Sequence, residues 1–218
     1  METTLQYTGR NSNFIEKLVR SKLFWVLLTG FFFAYPILRS VTRELPADLP
    51  NYGTVPTFRF TNEFGKPFGS EELKGKVYIA NFIFTKCTTM CPALLNKLQS
   101  VQHRLRGVMD RAAIVSISVD PENDTPEVLF EKSEQVKAKH SVWTFLTAPI
   151  EDTKKLLVEG FKVPMGNKTF ANNVMDVAHS NKLVLVDKEG IIRGYYPAEK
   201  DSINQLMIDT GLLINKKN

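Results

Sequence analysis

Only two cysteines and three histidines occur in this chain of 218 residues. That scarcity excludes a disulfide scaffold, which staples a small chain with several scattered bridges, and a four-ligand zinc site, which needs more Cys and His close together. Internal repeats and low-complexity tracts are also missing. So is a concentrated basic face. The formal charge is +5, but up to position 43 Arg10, Lys17, Arg20, Lys22, Arg39 and Arg43 face only Glu2 and Glu16, which places +4 there and leaves about +1 for the rest. A near-neutral domain lacks the charge that phosphate binding requires, so nucleic acid is not expected as a partner. Hydrophobic residues make up 43% and charged residues 23%, the proportions of a globular chain long enough to bury one core.

The basic residues near the start bracket LFWVLLTGFFFAYPIL, residues 23–38, sixteen positions without a charge. At 1.5 Å per residue a helix of that length covers roughly 24 Å, short of the ~30 Å hydrocarbon core, and the flanking Lys22 and Arg39 can snorkel to close the gap. The run exceeds the ~7–15 residues of a signal-peptide core and no small-x-small cleavage pattern follows, so an uncleaved transmembrane anchor is expected. Four basic residues precede it and two follow closely. That bias places the N-terminal tail, residues 1–22, in the cytoplasm and the rest outside. METTLQYTGRNSNFIEK is not the Arg-rich, acid-poor amphipathic presequence of a mitochondrial precursor, which favours a bacterial inner membrane with the domain in the periplasm.

Residues 39–55 read as an extended linker, the segment ELPADLPNYGTVP up to Pro56 carrying three prolines and a glycine. The domain is expected over 56–218. TFRFTNEFGKPFGSEEL reads as a strand pair turning at Glu63–Phe64–Gly65, and KVYIANFIF as a strand buried on both faces. CPALLNKLQSVQHRL has Pro92 in a first helical turn and Leu94, Leu95, Leu98, Val101 and Leu105 at helical spacing. AAIVSISVD is a second buried strand. DTPEVLFEKSEQVKAKH starts a helix, with Asp124 or Thr125 as cap and Pro126 at the first position. WTFL (strand), IEDTKKLLVEGF (helix), KLVLVDKEGIIRGYY (hairpin across Lys188–Glu189–Gly190) and SINQLMIDTGLL (helix) complete the order. Such a chain folds as an α/β thioredoxin-like domain with an added N-terminal β-hairpin.

The chemistry concentrates in KCTTMCPALL. Cys91 falls at a helix start, where unpaired N–H groups and the helix dipole favour a thiolate, so both sulfurs are expected to be unusually acidic. Four residues apart, Cys87 and Cys91 can close a disulfide or converge on one metal ion. A soft dithiolate selects Cu(I), and one imidazole would complete a set that also holds Cu(II). His103 lies among polar neighbours and His140 closes the DTPEV helix, where a cation suits the C-terminal dipole; both read as surface residues. His179 stands just before the strand that opens the last hairpin, after an irregular stretch, KVPMGNKTFANNVMDVA, long enough to fold over the cysteines. Asp120 and Asp124 read as turn and cap residues, and Met90 and Met165 as core filler.

FTKCTTMCP, SVDPENDTPE and AHSNKLVLVD, in that order, resemble the Sco/SenC family of copper proteins from about Pro56 to Ile214. The resemblance implies Cys87 and Cys91 as sulfur ligands, His179 as nitrogen ligand and Asp120 as an acidic neighbour. It also implies a thioredoxin-like fold on a single transmembrane helix and, as partner, the copper A subunit of a cytochrome c oxidase. The chain is expected to act as a monomer. Three departures stand out: Thr88 where Pro usually follows the first cysteine, LTAP for LTG, and Ala178 rather than Asp before His179, with Asp176 close by. The function expected is a copper metallochaperone. A thiol–disulfide oxidoreductase with Cys87 and Cys91 as its catalytic pair, and a copper or redox sensor, are the alternatives; His179 separates copper binding from dithiol exchange.

Overall fold

The computed structural model describes residues 18–41, 48–87, 90–164, 169–171, 174–176 and 182–216. The chain divides into two compact units, Met1–Asp48 and Leu49–Asn218. In the first, α1 (Lys22–Val41) is a helix of 20 residues. Leu23, Trp25, Val26, Leu27, Phe31 and Phe33 are exposed along it. The apolar run at 23–38 is thus helical as expected; among the described residues, however, no helix is long and apolar enough to cross a membrane.

The second unit begins before the boundary expected at Pro56. Leu49 packs against the core, Tyr52 N–H donates to Ile192 O (3.0 Å), Val55 N–H to Gly190 O (2.9 Å), and Thr54 bridges Ile191. Residues 49–55 therefore belong to the domain rather than to a free linker: a Pro-rich segment lies along an open sheet edge as readily as it floats in water.

A seven-stranded mixed sheet forms the centre, in the order β2-β1-β5-β4-β3-β8-β9. Its strands are β1 (Arg59–Asn62), β2 (Pro67–Gly69), β3 (Val77–Ile83), β4 (Ala112–Ser118), β5 (Trp143–Thr147), β8 (Lys182–Val186) and β9 (Ile192–Pro197). β3, β4 and β5 run parallel, with Val77 opposite Ala112 and Ile114 opposite Trp143; the other pairings are antiparallel. Every residue of β3, β4 and β5 is buried, as the continuous apolar runs require of strands covered on both faces. The helices are α2 (Ser70–Leu73), α3 (Met90–Arg104), α4 (Pro126–Gln135), α5 (Ile150–Lys155) and α6 (Lys200–Asn215). Leu94, Leu98 and Leu206 pack with Ile79 and Trp143 on one face of the sheet, while Tyr78, Phe82, Leu157 and Phe161 form the core of the other.

Local chemistry fixes the ends. Thr125, not Asp124, caps α4, its hydroxyl accepting from Val128 N–H, with Pro126 at the first position. The helix stops at Gln135, short of His140, because Lys137 takes a left-handed φ of +52°. α5 runs straight into a π-helical turn, Leu156–Gly160, so the helix expected over 150–161 has two windings. The hairpin across 188–190 forms as expected: Asp187 Oδ1 accepts the N–H groups of Glu189 (3.0 Å) and Ile191 (2.9 Å), and Gly190 supplies a φ of +80°. Within the stretch expected to be irregular, β6 (Thr169–Ala171) and β7 (Val174–Asp176) pair as a separate two-stranded sheet.

Candidate metal centre

Parallel β3 ends at Ile83, and the chain turns at once into the first cysteine. Cys87 N–H donates to Phe84 O (3.2 Å), closing a four-residue turn, Phe84 to Cys87. Cys91 is the second residue of α3. Both side chains are buried as thiols, not joined in a disulfide, 8% and 7% exposed. The Cys91 backbone N–H, one of the donors that a helix start leaves without an intrahelical partner, points at Cys87 Sγ (3.3 Å). The first sulfur is thus held against the beginning of the helix that carries the second. A cleft of about 140 Å³ opens beside them, lined by Thr85, Pro92 and Asn96 and, from α4, by Lys132 and Gln135.

The expected acidity of both thiols does not hold for Cys91. Burial pushes its thiol up from 9.0 to about 12, a hydrogen bond from the Phe84 backbone works in the opposite direction, and Cys87 and Asp124 add to the rise. The helix start favours a thiolate by a partial charge, but loss of water around the sulfur outweighs it. In the metal-free chain the folded state therefore holds this proton more tightly than the unfolded state does. Stability from that source is complete below about pH 9 and declines as pH rises toward 12. The expected result is a urea midpoint that falls between about pH 8 and about pH 10.5, and falls less in Cys91→Ala; equal slopes would remove the desolvated thiol as the cause.

Two acidic residues stand behind the cysteine turn, both fully buried in the loop after β4. Asp120 Oδ2 accepts from Asn123 Nδ2 (2.7 Å), and Asp120 O from Asp124 N–H (2.9 Å). Asp124 accepts Thr85 N–H (3.1 Å), the Thr85 hydroxyl and the Ser118 hydroxyl (2.6 Å). Burial raises its carboxyl above the usual range, opposed by those same bonds. The sequence read Asp124 as turn or cap chemistry; the partner that gives it another role, Thr85, lies 39 positions away, and no local pattern marks the pairing.

Among the described residues no group of three or more Cys, His, Asp or Glu converges as a metal site. His179, Ala178, Thr88 and Met165 lie outside the described residues, as do the side chains of Met90 and Asp176. His103 is exposed, as expected, beside Arg106. His140 lies beyond the helix end at Gln135 rather than closing it: Nδ1 is 3.0 Å from Glu63 Oε1 and Nε2 3.3 Å from Glu134 Oε1. The pair of neighbouring thiols suits a soft monovalent ion that tolerates few ligands.

Residues 47–210 match the family model described as SCO1/SenC. The SCO1 protein homolog of Bacillus subtilis strain 168 is 30% identical over 161 residues, covering 73% of this chain and 81% of that protein. The solved structure of BsSco, described as a member of the Sco family of cytochrome c oxidase assembly proteins with a disulfide switch, matches with a TM-score of 0.69 at 28% identity, over 80% of this chain and 100% of that one. Bradyrhizobium japonicum ScoI, solved with copper bound, shares the fold with a TM-score of 0.63 at 20% identity, over 74% of this chain and 99% of that one. The mixed α/β thioredoxin-like fold of these structures is the fold of this chain.

Proposed function

The chain belongs to the SCO1/SenC family, and from that premise we propose that it is a copper metallochaperone: Cys87, Cys91 and His179 bind the ion, which is passed to the copper A subunit of a cytochrome c oxidase. The observation that carries this reading is the dithiol itself, two thiols brought together through the Cys91 N–H just beyond the end of β3 and lining a cleft. A metal held by two soft donors and one imidazole can leave by ligand exchange with an acceptor, whereas a closed four-ligand site cannot. The name given to BsSco, a cytochrome c oxidase assembly protein, supports the choice of acceptor. A catalytic thiol–disulfide exchanger needs a low-pKa attacking thiol, and a thiol raised to about 12 at Cys91 speaks against that role for this residue.

The test is anaerobic Cu(I) titration of the reduced full-length chain in detergent, with affinity read by competition against a Cu(I) chelator. Wild type binds one tight equivalent and His179→Ala weakens it; weak binding indifferent to His179 sinks the chaperone reading in favour of dithiol exchange.

The apolar stretch within α1 is proposed as the single membrane anchor, with the basic excess on its N-terminal side in the cytoplasm and the domain in the periplasm. The large exposed apolar side chains on α1 support it, because water disfavours such a surface. The expected result is that the chain, expressed in a bacterium, stays with the membrane pellet through an alkaline carbonate wash. Release into the supernatant would rule out a spanning helix.

A further inference from the structure

The turn that carries Cys87 hangs from a loop at the end of the neighbouring strand. Thr85, at its second position, gives both its N–H and its hydroxyl to the Asp124 carboxylate, and Lys86, at its third, reaches Asn123 Oδ1 through Nζ. Asp124 is itself held by the Ser118 hydroxyl (2.6 Å) and, through its own N–H, by Asp120 O (2.9 Å). Thr85 sits between the two backbone groups that address the sulfurs. On one side Phe84 hydrogen-bonds the Cys91 sulfur and closes the turn onto Cys87 N–H; on the other, the chain leads into Cys87, whose sulfur accepts from Cys91 N–H. A rotation of the peptide at residue 85 would displace both contacts together.

We infer that Asp124 is a positioning residue for the dithiol: its buried carboxylate clamps Thr85 and so sets the separation and orientation of the Cys87 and Cys91 sulfurs. A carboxylate has no need to be fully buried to cap α4, and Thr125 already performs that role. What burial provides is two acceptor oxygens fixed in a water-poor place, where hydrogen bonds hold geometry more firmly than at a surface. The inference rests on Cys87 and Cys91 being the working site, but its test does not require copper.

The reduced, metal-free full-length chain in detergent is treated with iodoacetamide, and the alkylation rate of Cys87 is followed by mass spectrometry in wild type, Asp124→Asn, Thr85→Val and Thr85→Ser. Thermal unfolding of each is recorded in parallel. Thr85→Val keeps the N–H and removes the hydroxyl, so it tests the clamp even where Asp124→Asn folds poorly. The expected result is a Cys87 rate about tenfold above wild type in Thr85→Val and in folded Asp124→Asn, the equivalent of one buried hydrogen bond, with Thr85→Ser restored to the wild-type rate. Cu(I) affinity falls in the same variants and recovers in the same rescue. Wild-type alkylation rates in Thr85→Val would overturn the inference, and so would acceleration that scales with lost thermal stability in all variants, Thr85→Ser included, because general loosening gives that pattern. Absence of a tight Cu(I) equivalent in wild type defeats the copper reading alone, and the alkylation series still decides the clamp.

Discussion

Cys87→Ser and Cys91→Ser each lose Cu(I) affinity by more than the roughly 10–100-fold that outer-shell substitutions cost in metal sites, because each replaces a soft sulfur by a hard hydroxyl. His179→Ala loses at least about tenfold, or 1.4 kcal/mol, since the ion keeps both sulfurs. The pH dependence separates the two thiols further. As a ligand in the proposed site, Cys91 has to release a proton that burial holds up to about 12. Between neutral pH and that value this one thiol contributes about a tenfold gain in apparent affinity per pH unit, a contribution that Cys91→Ser abolishes. The chelator competition repeated at several pH values checks this. A wild-type affinity independent of pH would mean that the bound state does not use the desolvated sulfur as thiolate.

Glu63→Ala destabilises the fold by about 3 kcal/mol, within the range seen when one member of a buried, hydrogen-bonded pair is removed. Glu63 lies in the β1–β2 turn with its side chain fully enclosed. Oε2 accepts Phe145 N–H of β5 (3.0 Å) and Oε1 meets His140 Nδ1 (3.0 Å), while Glu63 N–H returns a bond to Phe145 O (3.1 Å). The carboxylate thus ties the added hairpin to the edge of the parallel strands, and without it Phe145 N–H is left buried with its acceptor gone. His140 is also gripped by rings, Phe64 at 4.7 Å and Phe130 stacked at 6.0 Å. His140→Ala is milder, because that side chain is 30% exposed and water reaches its place. For a chain of this size about 3 kcal/mol lowers the thermal midpoint by roughly 6–12 °C. A Glu63→Ala chain melting within about 2 °C of wild type would show the carboxylate to be dispensable.

Most of the architecture was legible because its signals are local. A strand buried on both faces writes itself as an unbroken apolar run, as in Val77–Ile83 and Ala112–Ser118. Pro126 behind a Thr cap announces a helix start. The readings that failed each depended on something beyond the window. Lys137 ends α4 by taking a left-handed conformation that lysine seldom adopts, so His140 was assigned to a helix end it does not occupy. Residues 49–55 have linker composition, and it is the chain at Gly190–Ile192, entering β9 beside them, that makes them part of the domain. The helix after Ile150 changes winding at Leu156 although its apolar spacing continues.

At the site the same division holds. The sequence by itself determined which atoms are available: two sulfurs four residues apart, where a buried strand gives way to a helix start, and a third candidate in His179. Spacing and residue type are sufficient for the sulfurs, since a strand end and a helix start are local events; His179 is a candidate through the family resemblance. Only the tertiary structure decided how those sulfurs behave. Packing removed water from Cys91, and desolvation, a property of everything around an atom, outweighed the helix start that the sequence had made visible. Folding likewise brought Asp124 to Thr85, 39 positions apart, and turned an apparent cap residue into the support of the cysteine turn. Burial and long-range hydrogen bonds belong to pairs of distant segments, and no stretch of one-dimensional pattern holds both members of such a pair.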